Sequence, residues 1–282
     1  MAAVLGTNVA SLWASKNLQS AQSNMANSVE RLSSGLRINR ARDDAAGLGL
    51  ANALTQQINS SEQGIRNLND GISIVQTAEG ALSQASEMAQ RILTLAIQAT
   101  NGTLSGTQLT SITSEMSQLI TGINNIQTRT KFSGTTLLNS TAINIFNGKE
   151  TADKVEITAA ALATIGSGTG GAAICLGAWI NTLSAQTSAT YYQTIATSAS
   201  AYITTLDTQR GLLGALQNQM EYSVNNITEL SANLTSARSR VIDTDYASET
   251  ANLTKGQILQ QAATAMLAQA NQMPNVILSL LK

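Results

Sequence analysis

The 282-residue chain has no histidine. The commonest general acid/base and metal ligand is therefore missing, which excludes most hydrolytic triads and zinc sites. The single cysteine, Cys175, can form no internal disulfide and has no imidazole to activate it. It reads as a small apolar residue within Ala172-Ala173-Ile174-Cys175-Leu176-Gly177-Ala178-Trp179. Aromatic residues make up 3% and charged residues 12%, against roughly 25% charged in an ordinary soluble domain. A compact globule of this length would fill its core with aromatics, because each buries a large area. Long helices joined through alanine and aliphatic seams do not need them. With one proline, Pro274, almost nothing interrupts a helix before the end of the chain. The net charge of −1 argues against nucleic acid, which would call for a basic face.

Long hydrophobic runs are also lacking. Residues 1–29 carry one Lys, Lys16, but Asn8, Ser11, Ser15, Asn17 and Gln19 interrupt every apolar stretch. The segment is expected to be neither a cleavable signal peptide nor a membrane span. From Gly256 to Leu281 there is no charge at all, yet Gln257, Gln260, Gln261, Gln269, Asn271 and Gln272 punctuate the segment. Each end reads as an uncharged amphipathic helix that needs a protein partner.

What is present is a seven-residue period. The positions Leu54, Ile58, Ser61, Ile65, Leu68, Ile72, Val75, Glu79, Leu82, Ser86, Ala89, Leu93 and Ala96 alternate steps of four and three, and ten of the thirteen are apolar. This helix should stop at Asn101-Gly102. A second helix has the seam Leu109, Ile112, Met116, Leu119, Ile123, Ile126, with Ser105 or Thr107 as its cap, and ends at Phe132-Ser133-Gly134. A third seam runs Leu206, Gln209, Leu213, Leu216, Met220, Ser223, Ile227, Leu230, Leu234, Ala237, Val241. Between about Thr141 and Thr190 the period is lost. Gly166 to Gly171 is loop material, while Ala142 to Phe146 and Lys154 to Thr158 suit a small hairpin.

The expected fold is mainly α: an elongated antiparallel helical bundle or coiled coil with paired terminal helices and a small β-hairpin or loop element in the middle. Its expected parts are an N-terminal helix over 1–35, a connector over 36–53 and a long-helix part over 54–140. A short surface-exposed middle over 141–190, a long helix over 191–242 and a C-terminal helix over 243–282 follow. The layout is nearly palindromic, so the two charge-poor ends should lie together and be buried against other copies.

Residues 31–51, Arg-Leu-Ser-Ser-Gly-Leu-Arg-Ile-Asn-Arg-Ala-Arg-Asp-Asp-Ala-Ala-Gly-Leu-Gly-Leu-Ala, closely resemble the N-terminal signature of bacterial flagellins. Leu212-Leu213-Gly214-Ala215-Leu216-Gln217-Asn218, Asp243-Thr244-Asp245-Tyr246-Ala247, Gln269-Ala270-Asn271-Gln272-Met273-Pro274 and Leu278-Ser279-Leu280-Leu281 resemble the C-terminal half of the same family. The likeness covers roughly residues 1–140 and 190–282. It implies a secreted structural subunit, not an enzyme, that polymerises into the extracellular flagellar filament for swimming. The termini would form its inner layer. It also implies export in an unfolded state by the flagellar type III apparatus after binding a dedicated chaperone, and folding beneath a filament cap protein. Hook-associated junction proteins would be its neighbours. A hook–filament junction protein is the alternative reading.

The resemblance places polymerisation in the paired ends, with Leu5, Val9, Leu12, Leu18, Met25, Ile258, Leu259, Met266, Ile277, Leu280 and Leu281 as the expected contacts. Arg31, Arg37, Arg40, Arg42, Asp43 and Asp44, mirrored by Arg238, Arg240, Asp243 and Asp245, form a charged connector. They are expected to make ion pairs between subunits that set register more than affinity. Gln90, Arg91, Leu95 and Glu115 resemble the patch by which host innate-immune Toll-like receptors detect flagellins, although Leu93 and Thr94 replace charged residues often found there. No catalytic residue, metal, cofactor, nucleic acid or membrane is expected.

Overall fold

In a computed structural model, residues 8–148, 152–163, 165 and 188–280 are described, with the side chains of 273–280 excepted. The described residues form helices α1 (Val9–Ser34), α2 (Ala45–Ala99) and α3 (Gly106–Arg129), then strands β1 (Lys131–Phe132), β2 (Thr135–Thr136), β3 (Ile143–Phe146) and β4 (Lys154–Ile157). Helices α4 (Ala189–Ile242) and α5 (Tyr246–Leu280) complete the chain. β1 pairs with β2 and β3 with β4, both antiparallel. The chain divides into two compact units, Met1–Gln56 with Asn233–Lys282 (unit 1) and Gln57–Ala232 (unit 2).

Unit 2 is a three-helix core clasped by the two hairpins. Arg91 pairs with Glu115, and Gly122 lies against Met88, so α3 runs antiparallel to α2. Glu79 pairs with Arg210, and Gly71 lies against Met220, so α4 does as well. Two rows of α2, each spaced by seven residues, are buried: Ser61, Leu68, Val75, Leu82, Ala89, Ala96, and Gly64, Gly71, Ala78, Ala85, Ile92, Ala99. The first row is half of the seam expected from the sequence. Of the other half, Ile58 and Ser86 are buried but Ile65, Ile72, Glu79 and Leu93 are only half-buried, and over that stretch the small-residue row takes the deeper place. Small side chains let a neighbouring backbone come close. A Cβ on Gly64 would overlap the Asn147 carbonyl, and Asn67 Nδ2 donates to the Phe146 carbonyl at 2.8 Å, so the β3–β4 hairpin sits directly on this row.

The remaining expectations for unit 2 fare well. Ile112, Met116 and Ile123 of the α3 seam are buried, joined by Ile120, and Ser105 forms a capping box with Gln108. Ser133 and Gly134 both have positive φ and make the two-residue turn between β1 and β2. The hairpin expected at 142–146 and 154–158 is β3–β4. On α4, Leu206, Gln209, Leu213, Met220 and Ile227 of the expected seam are buried, Leu216, Ser223, Leu234, Ala237 and Val241 are half-buried, and Leu230 is exposed. Tyr202, buried beside Tyr192 and Ile195, donates its hydroxyl to the Ile165 carbonyl at 2.6 Å, and burial raises its pKa. Gly166 to Gly171 and Cys175 lie outside the described residues.

One boundary differs. The connector expected over 36–53 is shorter, because α2 begins at Ala45. Asp44 accepts from the Gly47 N–H at 2.9 Å and so caps the helix, after which Ala45 and Ala46 are strong helix formers.

Candidate assembly site

Within unit 1, α1 and α5 lie side by side and antiparallel. Ser11 bonds Asn271 near one end of the pair, and Arg31 meets Glu249 near the other. Their contact is a seven-residue seam of small side chains. On α1 the buried residues are Ala14, Ala21 and Ser28, flanked by half-buried Leu18 and Met25. On α5 they are Glu249, Gly256 and Ala270, flanked by half-buried Leu253, Ala263 and Leu267. A Cβ on Gly256 would lie 3.4 Å from the Met25 Cβ, in ordinary van der Waals contact, so α1 and α5 pack closely at this point.

With small residues deepest in the seam, many of the large apolar ones face out. Leu12 is 69% exposed, Met266 62%, and Trp13 and Ile258 60% each. Val9 and Leu259 are exposed too. On α1, Leu12 lies roughly 160–180° from Ala14 and Ala21 and Val9 roughly 120–140°, while Trp13, roughly 80–100° away, sits on the flank. A groove along one flank of the pair is lined by Val9, Trp13, Asn17, Leu259, Ala262 and Met266, among others. Lys16 places its ammonium 5.4 Å from the Trp13 ring centroid, which keeps the indole partly covered by a cation. Fully burying such side chains is worth about 1.5–3 kcal/mol each, and the pair leaves that free energy unused.

Pro274 lies inside α5, where it has no N–H to give the Ala270 carbonyl four residues back. Asn8 supplies the missing donor. Its Nδ2 bonds the Ala270 carbonyl at 2.7 Å, while its Oδ1 accepts from the Ser11 N–H at 3.1 Å and caps α1. One amide therefore starts one helix and repairs the other.

The connector begins at Gly35, whose φ of 72° ends α1 in the left-handed conformation that favours glycine. An antiparallel bridge then joins Leu36 to Asp243, with the Arg37 N–H donating to Ile242 and the Thr244 N–H donating to Gly35. Most of the charges expected between subunits find partners inside the chain. Arg37 Nη2 bonds the Val241 carbonyl at 2.6 Å and caps α4. Asp44 caps α2, and Asp245 caps α5 by accepting from the Ala247 N–H at 3.0 Å. Arg31 pairs with Glu249 at 3.7 Å and Arg40 with Glu30 at 2.8 Å. Arg238 reaches the Thr55 hydroxyl at 3.5 Å. The Asp43 carboxylate accepts from the backbone N–H groups of Arg40 and Asn39, at 3.0 and 3.2 Å, with Arg42 at 3.5 Å. These donors, the Arg40 N–H foremost, hold its pKa below the usual carboxylate range. Among the described residues, the Arg240 side chain has only the Ser236 hydroxyl, at 3.0 Å, and that of Arg42 only its exposed pair with Asp43.

Of the expected polymerisation residues, Val9, Leu12, Ile258, Leu259 and Met266 face outward, whereas Leu18 and Met25 sit in the α1–α5 seam. Leu5 and Leu281 lie outside the described residues, as do the side chains of Ile277 and Leu280. Trp13 was not among the expected contacts. Its place next to Leu12, off the Ala14–Ala21–Ser28 row, is the signal that marks it. In the receptor-like patch, Gln90, Arg91 and Glu115 are exposed, and Arg91 pairs with Glu115 at 2.7 Å. Leu95 is only 2% exposed, packs in the core of unit 2 and is no part of that surface.

Comparison with known proteins is consistent across the chain. The family model for the bacterial flagellin N-terminal helical region matches residues 5–142, and that for the C-terminal helical region matches residues 196–281. A flagellin of Xenorhabdus nematophila is 37% identical, covering 100% of both chains. A flagellin of Bacillus subtilis (strain 168) is 37% identical over 98% of both. The crystal structure of Bacillus cereus flagellin superposes with a TM-score of 0.48 at 24% identity, covering 61% of this chain and 94% of that one.

Proposed function

The chain belongs to the bacterial flagellin family, and from that premise we propose which parts of it join one copy to the next. It is a structural protein, not an enzyme, and it self-polymerises into the extracellular flagellar filament that drives motility. The α1–α5 pair is the polymerisation surface, and Val9, Leu12, Trp13, Ile258, Leu259 and Met266 are its contacts. The observation that carries this reading is the inverted packing, with alanines and glycine facing in and large apolar residues facing out. A surface of that kind is stable only when another surface covers it. Leu18 and Met25 act one step back, by holding the pair together.

The chain travels to the growing tip unfolded through the flagellar type III apparatus, with a dedicated chaperone covering the C-terminal region beforehand. It folds there beneath a cap protein, above hook-associated junction proteins. The exposed apolar stripe supports this order, since a chain folded in the cytoplasm would assemble too early. Flagellin relatives spanning the full length favour a filament subunit over a hook–filament junction protein. A host receptor contact would draw on Gln90, Arg91 and Glu115, without Leu95. Among the described residues no helix is long and apolar enough to cross a membrane.

The test is heat dissociation followed by seeded reassembly, read by sedimentation and negative-stain microscopy, beside a chain lacking residues 1–30 and 256–282. Long tubes from the full chain alone are expected. Small discrete oligomers from both would overturn the filament reading.

A further inference from the structure

The chain's charges are divided unevenly. Unit 1 holds nine Lys or Arg against six Asp or Glu, and unit 2 holds seven against eleven, leaving net charges of +3 and −4. Part of the excess in unit 2 is concentrated on α4. Asp207, Glu221 and Glu229 are all exposed. At 3.6 residues per turn they share an arc of about 80° facing away from the Leu206–Leu213–Met220–Ile227 core row. None of the three makes an ion pair among the described residues.

Beside this stripe runs a groove lined by Asn147, Asn218, Gln219, Tyr222, Ser223 and Asn226. Among the described residues no charged side chain lines it and the buried side-chain oxygen of Asn147 has no hydrogen-bond partner, while Tyr222 is 76% exposed. An aromatic face, an unsatisfied acceptor, further amide acceptors and a flanking row of carboxylates together describe a site for a planar, multiply donating cation. That is a guanidinium. It stacks on tyrosine, donates up to five hydrogen bonds and keeps its charge at any accessible pH. The chain carries such groups on unit 1, where Arg42 and Arg240 are exposed and weakly held.

We infer that in the filament this groove takes a connector arginine from a neighbouring copy, with Glu221 and Glu229 of α4 facing Arg42 and Arg240 of that copy. The inference rests on the filament reading above and names one of its contacts. It joins two different patches, a basic one on unit 1 and an acidic one on unit 2. A contact of this heterologous kind does not close on itself and propagates into an open helical array. Arg42 and Arg240 would then set register across subunits, while the capping Arg37, Asp44 and Asp245 serve their own chain.

Three full-length variants test it: Glu221→Arg with Glu229→Arg, Arg42→Glu with Arg240→Glu, and all four together. Critical concentrations for seeded assembly are read by sedimentation at low salt, with circular dichroism and thermal melts of the monomers as folding controls. Each pair alone is expected to raise the critical concentration at least tenfold, and the fourfold variant to return towards the parent. Tyr222→Ala should raise it several-fold. The parent's own critical concentration should climb with added salt. Pairs that assemble like the parent, a fourfold variant as poor as either pair, or a salt-independent parent would each overturn the contact. Failure of the parent to assemble at all would instead overturn the filament reading.

Discussion

Unit 2 and the α1–α5 pair of unit 1 are built on the same seven-residue repeat and fill it with opposite kinds of residue. In unit 2 the repeat buries Leu68, Leu82, Met116, Leu206, Leu213 and Met220, and the outer faces carry mostly Ser, Thr, Asn and Gln, with Ile97, Tyr222 and Leu230 among the large apolar exceptions. In the terminal pair it buries Ala14, Ala21, Gly256 and Ala270, and the outer faces carry Leu12, Trp13, Ile258 and Met266. The first arrangement is a finished core. The second is half of one. Period alone therefore does not tell a domain from an interface; what matters is which side of the helix holds the large residues.

That contrast can be broken from either side. The largest effect belongs to Leu82→Ala, which opens a cavity in unit 2 and should lower its stability by about 2–5 kcal/mol. The monomer's denaturant midpoint reads it, and amide exchange in α1 and α5 should stay as in the parent. Ala21→Leu is the converse. It forces a large side chain between α1 and α5, costs about 1–3 kcal/mol, and should speed exchange in the terminal helices while unit 2 melts as before.

Asn8→Asp should be milder, on the order of 1 kcal/mol. Aspartate keeps the α1 cap but turns the donor facing the Ala270 carbonyl into a second acceptor, so exchange should quicken around Ala270 and Asn271. The smallest effect belongs to Asp43. Its folded-state pKa lies below its unfolded value, so the order it lends the connector is present above the unfolded carboxylate range and fades as pH falls through the lowered folded value. The amides of Asn39 and Arg40, followed by NMR on acidification, should lose protection there, and Asp43→Asn should remove the pH dependence.

Much of the helical layout was legible because long seams and caps act locally. The α3 seam, its Ser105 cap and the β3–β4 hairpin follow from side chains within a few residues of one another. The buried row Gly64–Gly71–Ala78–Ala85 was not legible, because small residues add nothing to a hydrophobic pattern, and their depth reflects how close the hairpin and α4 come. For the same reason the α1–α5 seam was hidden beneath the more conspicuous Leu12 and Ile258. The connector charges were legible as a cluster, but helix caps and intersubunit pairs use the same residue types. Only geometry shows Arg37, Asp44 and Asp245 occupied within the chain. Leu95 lies one turn beyond exposed Arg91, and the resemblance grouped it with that surface, but it is packed into the core of unit 2.

The most direct measurement compares the parent with a full-length variant carrying Leu12→Ser, Trp13→Ser and Met266→Ser, following both monomer stability and seeded assembly. If the outward face of the α1–α5 pair is the unfinished half of a core, the variant keeps the parent's helicity and melting behaviour and forms no filaments at concentrations where the parent does. Filaments forming at the parent's critical concentration would contradict the account, and would show that those side chains are exposed in the assembly as they are in the single chain.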